Sequence, residues 1–304
     1  MFKVAYEEVT PDKRGFAVKN VNASAHLQNI GISFLDGYHH SLGTNSVDFI
    51  CRSIDQKEKR YRGFSYEGVA MGMAIKDVFR SKRNRLIPEF LSDKGNKHVY
   101  MSHVGIGWAY ARLPFRIEKE LVNYDPLLRW LIIDGYGFHQ AYFKTKLYII
   151  DKKVPNLSPF AKHVFYQGVG RCLWFIYGTN IAEIISAVAL FPEMYHQDLW
   201  AGLGLASVYA GEVEIQELIQ LKKLSGKYLP NLLQGVAFGA KARERAGLVL
   251  DYTEASVLAL TGLPVKEVAD ITDLAITKIP AGLDSSGQYL AWKNIIGEEL
   301  CLRV

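Results

Sequence analysis

FYQGVGRCLWFIYGTNIAEIISAVALFP, Phe165 to Pro192, reads as one helical hairpin. Its first half sets a stripe of small residues, Gly168 and Gly170, beside the bulky Tyr166, Leu173 and Trp174. Its second half, from Ile181 to Phe191, repeats apolar residues at helical spacing. Thr179-Asn180 gives a turn and an N-cap candidate between the halves, and Pro192 ends the unit.

The opening of this hairpin recurs along the chain. A bulky residue, a variable residue, a small residue and an apolar residue follow one another, usually with another small residue next. Strong copies start at Tyr66, His103, Tyr166, Trp200 and Leu233, and weaker ones at Leu35 and His139. The central small residue falls at 37, 68, 105, 141, 168, 202 and 235. That spacing of about 34 residues is the period of tetratricopeptide-like helical hairpins. Glycine costs a helix ~0.5–1 kcal/mol against alanine, so its recurrence calls for close helix contact. The expectation is an all-α fold of stacked hairpins, an α/α solenoid, in which the marker helices are neighbours in chain order. Residues 1–24 are expected to form a short extended arm, and residues 25–304 one helical domain.

Further helices are expected outside the markers, among them Asn45 to Ile54, Glu214 to Leu224, Glu254 to Leu260, Val265 to Ile279 and Leu290 to Leu300. Hydrophobic residues make up 49% and charged residues 22%, the balance of an ordinary soluble globular chain. A net charge of +5 over 304 residues is too dilute to indicate nucleic acid. The basic run Arg80 to Arg85 reads as a solvated helix end. Cys51, Cys172 and Cys301 lie far apart, which argues against a disulfide framework or a zinc site and for a reducing compartment. The N-terminus lacks an apolar core of signal-peptide length. The apolar Ile181–Pro192 run falls short of the ~20 residues a bilayer span needs. A cytoplasmic protein is expected.

The residue before each marker is polar in five copies: Asp36, Glu67, Gln140, Gln167 and Gln234. Equivalent positions of a stacked array line one surface. These groups either converge on a cavity or simply hydrogen-bond between neighbouring helices. Tyr66, His103, His139, Tyr166 and Trp200 stand one residue earlier, and Tyr142 and Trp174 complete the candidate aromatic walls. Glu67, flanked by Tyr66, Gly68 and Met71, is a candidate buried acid with a raised pKa. In Asp134-Gly-Tyr-Gly-Phe-His139 the two glycines would let Asp134 orient His139 as a general base or acid. No HExxH, GxSxG or phosphate-binding glycine loop occurs. Neither metal nor cofactor is implied.

Long runs of this chain resemble one bacterial family. They include Arg62-GFSYEGVAMGMA-Ile75, His103-VGIGWAYARL-Pro114, Asp125-PLLRWLIIDGYGFHQAYF-Lys144, Tyr166-QGVGRCLWF-Ile176 and Asp198-LWAGLGLASVYAG-Glu212. Leu233-QGVAFGAKARERAG-Leu248 belongs with them. The family is the enediyne-biosynthesis-associated domain of unknown function number seventeen hundred and two. The resemblance implies natural-product biosynthesis and an apolar, polyene-like ligand, and it assigns no catalytic residues. Two functions fit these readings. One is a cofactor-independent cyclase or isomerase of a polyene or isoprenoid, with Glu67, Asp134 and His139 as acid–base groups, although DDxxD and DxDD are both absent. The other is a non-catalytic scaffold that holds an acyl chain, a carrier protein or a partner peptide.

Overall fold

A computed structural model describes residues 3–114 and 116–304. These residues form helices and turns, with no strand among them. Eight helices frame the interior: α1 (Val21–Gly43), α2 (Lys59–Asp77), α3 (Val99–Tyr110), α4 (Trp130–Phe143), α5 (Pro159–Ile176), α6 (His196–Tyr209), α7 (Leu229–Arg245) and α8 (Ser285–Cys301). From α1 to α7 each packs on the next, and α8 packs on α7. Shorter helices such as Val47–Asp55, Ile181–Ala189 and Ile215–Ser225 fill the connections.

The hairpin at Phe165 follows its sequence. Pro159 occupies the first turn of α5, where its missing N–H is not needed. Gly178 and Thr179 both turn left-handed, and the Thr179 amide holds the bend by donating to the Trp174 carbonyl at 2.9 Å. Asn180 then caps Ile181–Ala189 by accepting from the Glu183 amide.

Glycine sets the distance between the framing helices. A Cβ at Gly68 would collide with the Phe34 carbonyl oxygen, one at Gly105 with that of Glu67, and one at Gly168 with that of Asp134. Gly202 meets Gln167 and Gly235 meets Ala201 in the same way. The fourth copy differs from expectation. Gly135, not Ala141, fills its marker position, because a Cβ there would strike the Val104 carbonyl. The weaker match at His139 shifts the register by six residues, so Asp134 rather than Gln140 is equivalent to Glu67 and Gln167. Gly135 and Gly137 do not bend α4, which runs unbroken to Phe143. Both lie against neighbouring backbone, Gly137 at Phe165.

The row of helices curls round until its end returns to its start. His26 of α1 bonds through Nε2 to the Ala210 carbonyl at 2.8 Å, and Arg243 of α7 donates to the Arg60 carbonyl at 3.1 Å. Arg129 and Trp130 both donate to the Ser285 hydroxyl at 2.8 Å, fixing the start of α8 against α4.

The described part of the N-terminal arm, from residue 3 onward, is not one extended segment. Tyr6–Val9 and Pro11–Arg14 form two short helical turns, with Thr10 capping the second, and α1 already begins at Val21 behind an Asn20 cap. Pro11 suits the first turn of a helix, which explains the difference. The arm closes one end of the interior. Val9 packs on Gly31, its carbonyl accepts from the Tyr142 hydroxyl at 3.3 Å, and Phe16 meets the Tyr142 ring edge-on at 4.9 Å.

Candidate functional site

The candidate site lies inside the curl. Residues one before and three after each marker are four apart and share a helix face. Glu67, Trp108, Phe138, Arg171 and Leu205 occupy these positions and line one cavity, with Phe64 and Tyr209 completing its wall. Its volume is about 40 Å³. A second cavity of about 20 Å³ shares Arg171 and Leu205 and is closed by Tyr100, Phe238 and Trp292.

Three buried ionisable groups meet here. Arg171 pairs with the Asp134 carboxylate, and Gln167 donates to the other Asp134 oxygen at 2.9 Å. The Tyr289 hydroxyl stands 3.4 Å from the Gln167 amide nitrogen. Both pair members are almost wholly buried, at 6% and 1% side-chain exposure, so their charges compensate each other in a weakly screening interior. Glu67 is buried and lines the cavity. Burial pushes its pKa up to about 8, Asp134 adding to the rise and the Arg171 charge opposing it. A carboxylic acid that keeps its proton at neutral pH under aromatic walls is equipped to protonate an apolar molecule.

The other expected site residues are dispersed. His139 does not meet Asp134. Its ring lies between Trp108, at 5.4 Å, and Phe143, at 4.7 Å, and neither nitrogen has a hydrogen-bond partner. Five helical residues carry it about 140° round the axis from Asp134, which sends the two side chains to different faces. Burial, with Arg112 and Lys144 nearby, drives its pKa down to about 3 and leaves a neutral, weak base. Tyr66, His103, Tyr166 and Trp200 stand two residues before their markers and turn outward, not into the cavity. Tyr66 stacks on His98 at 3.7 Å and donates to Asp55 at 2.9 Å. Tyr166 stacks on Tyr195 at 3.9 Å, and Trp200 faces Tyr228. His103 lines a separate cleft on the outside of α3. Trp174 is buried and donates to the Gly211 carbonyl at 2.9 Å. Tyr142 does line the cavity. Gln234 is buried beside no partner for either amide atom, and Gln140 is buried on a different face.

Arg171 is the main participant that lies outside the position before each marker. Its spacing of four from Gln167 is the signal that finds it. A second buried group joins Asp198 to His163 at 2.6 Å and to Lys293 at 3.7 Å. Cys51, Cys172 and Cys301 are free thiols. No group of three or more His, Cys, Asp or Glu side chains among the described residues could hold a metal ion. No helix among them is long and apolar enough to cross a membrane.

Fold and site together define an all-helical protein that buries an acid and an ion pair under aromatic walls. The chain belongs to the family described as "Protein of unknown function (DUF1702)", whose family model matches residues 1–300. No curated protein and no solved structure matches it.

Proposed function

We propose that this chain is a natural-product biosynthesis protein of the cytoplasm, built on a helical repeat, that acts on an apolar polyene- or isoprenoid-type intermediate of polyketide or enediyne chemistry. The reaction we favour is a cofactor-independent cyclisation or isomerisation. Glu67 carries this reading, because it is a proton donor held in an aromatic-walled interior. Its proton would add to a carbon–carbon double bond, leaving a cation that the faces of Trp108 and Phe138 stabilise. Attack by a second double bond and loss of a proton to the Glu67 carboxylate then return the enzyme. Product and substrate are isomers of equal mass. Arg171, fixed on Asp134, limits how far the Glu67 anion rises in energy between the two proton transfers.

The interior volume of about 40 Å³ favours the second reading, a non-catalytic scaffold for an acyl chain, a carrier protein or a partner peptide. Mass spectrometry of small molecules co-purifying with the full chain from its own host separates the two. The catalytic reading expects the wild type to carry one compound and Glu67→Gln an isomer of it, with one more double bond where the reaction closes a ring and the same number where it moves a double bond. The same compound on both proteins would leave the scaffold reading alone standing.

A further inference from the structure

A cleft of about 760 Å³ opens on the outside of α3, between α2, the Leu86–Ser92 helix and the loop that carries Tyr124. That volume falls in the range of roughly 300–1,000 Å³ typical of small-molecule sites. Tyr100, Tyr110, Tyr124 and Leu128 supply apolar walls. The Tyr110 and Tyr124 hydroxyls hydrogen-bond each other at 3.0 Å, which leaves their rings to the cleft.

Arg85 enters this cleft with its charge uncommitted. Its Nε is buried and has no hydrogen-bond partner, and its guanidinium makes no ion pair among the described residues. Asp77, the carboxylate that feels the Arg85 charge, spends its two oxygens on the Leu86 and Ile87 amides at 2.7 and 2.9 Å. Arg245, the other arginine of the lining, is already bonded to Asn96. At the floor, His103 donates from Nδ1 to the Val99 carbonyl at 2.7 Å. Burial lowers its pKa, so the imidazole is neutral and does not compete with Arg85 for an anion.

We propose that this cleft binds an apolar monocarboxylic acid, with the carboxylate on the Arg85 guanidinium and the apolar body against the tyrosine rings. The guanidinium fork matches a carboxylate in shape. The lining also holds Asp77, Glu120 and Asp125 against Arg85 and Arg245, a surplus of negative charge that disfavours a dianionic phosphate. This site is independent of the interior acid.

The test is a fluorescence titration of the full chain with dansyl-labelled undecanoic acid, its methyl ester and dodecyl phosphate. The free acid should bind best. The ester should bind about tenfold more weakly, the factor lost with one charge-assisted hydrogen bond. Arg85→Gln should weaken the acid by the same factor and abolish the difference between acid and ester. Absence of binding, equal binding of acid and ester to the wild type, or tighter binding of the phosphate would overturn the proposal. So would loss of the probe in Glu67→Gln with Arg85→Gln unaffected, which would place the acid in the interior. The ester arm needs no mutation, so a misfolded variant cannot obscure the outcome.

Discussion

The interior and the outer cleft share α3 but are built on opposite terms. Val104 and Trp108 face cavities of about 20 and 40 Å³, whereas His103 and Tyr110 face one of about 760 Å³. Tyr100 belongs to both walls. In the interior, glycines draw helix backbones together and leave almost no space. Every charge there has a partner or, at Glu67, a proton. In the cleft, short helices and loops hold the walls apart, and Arg85 makes no ion pair among the described residues. The chain thus separates the place where it holds a proton from the place where it has room. Water exclusion strengthens electrostatics in the first, and accessible volume allows recognition in the second.

Loosening the sealed region should produce the largest effect. Gly168→Leu adds a side chain where the first atom met is the Asp134 carbonyl oxygen, which cannot rotate away. The cost should exceed the ~1–3 kcal/mol of ordinary overpacking and consume much of a domain's ~5–15 kcal/mol. A wild-type melting temperature in this variant would show that glycine does not set the helix spacing. Next comes the ion pair. Asp134→Asn leaves the Arg171 charge buried without its counterion, an expected loss of ~3–5 kcal/mol in chemical denaturation. A loss below ~1 kcal/mol, the scale of exposed pairs, would mean that water reaches the pair and the seal is incomplete.

The interior and the cleft also differ in how legible they are in the sequence. The small-residue signature recurring at Gly68, Gly105, Gly168, Gly202 and Gly235 locates the packing face, and the residue before each marker locates Glu67 and Gln167. The fourth copy misleads, since Asp134-Gly-Tyr-Gly holds two glycines that look like a helix break. Each instead receives a neighbouring backbone, a distinction that only the placement of α3 and α5 makes. Chemistry alone pairs His139 with Asp134, and helical geometry separates them. The cleft leaves no such trace. Arg85 and Tyr124 come from loops, which carry no periodicity to join them to Arg245 at the end of α7.

The pH dependence of stability tests the proton held at Glu67. The folded acid releases its proton near pH 8 and the unfolded one near the ordinary 4.5. Between those limits the native state binds more protons, so this group's contribution falls as pH rises through the window and levels off above it. His139, with its pKa lowered to about 3, acts in the opposite direction below its ordinary 6.5, because the unfolded state there takes up the proton. Glu67→Gln keeps the shape without the titration. Its denaturant midpoint should therefore decline less than the wild type's between about pH 5 and pH 8, a difference of a few kcal/mol at most. Parallel curves would show that Glu67 is ionised at neutral pH and no proton donor.

The smallest effect should come from the second arginine. Arg171 and Arg85 are the same residue under different obligations. One is committed to Asp134, and the other makes no ion pair among the described residues, Asp77 being near enough only to feel its charge. Arg85→Gln removes a buried, unpartnered Nε while leaving Asp77 bonded to the Leu86 and Ile87 amides, so nothing that holds the Leu86–Ser92 helix is broken. The expected change in stability is within about ±0.5 kcal/mol, the range of substitutions that touch no structural feature. A destabilisation of ~2 kcal/mol or more would make Arg85 a brace between Asp77 and the tyrosines, and would turn the cleft into a packing defect. A neutral result, set beside a large loss at Asp134, leaves ligand binding as the role that accounts for an arginine with an unpartnered Nε in that position.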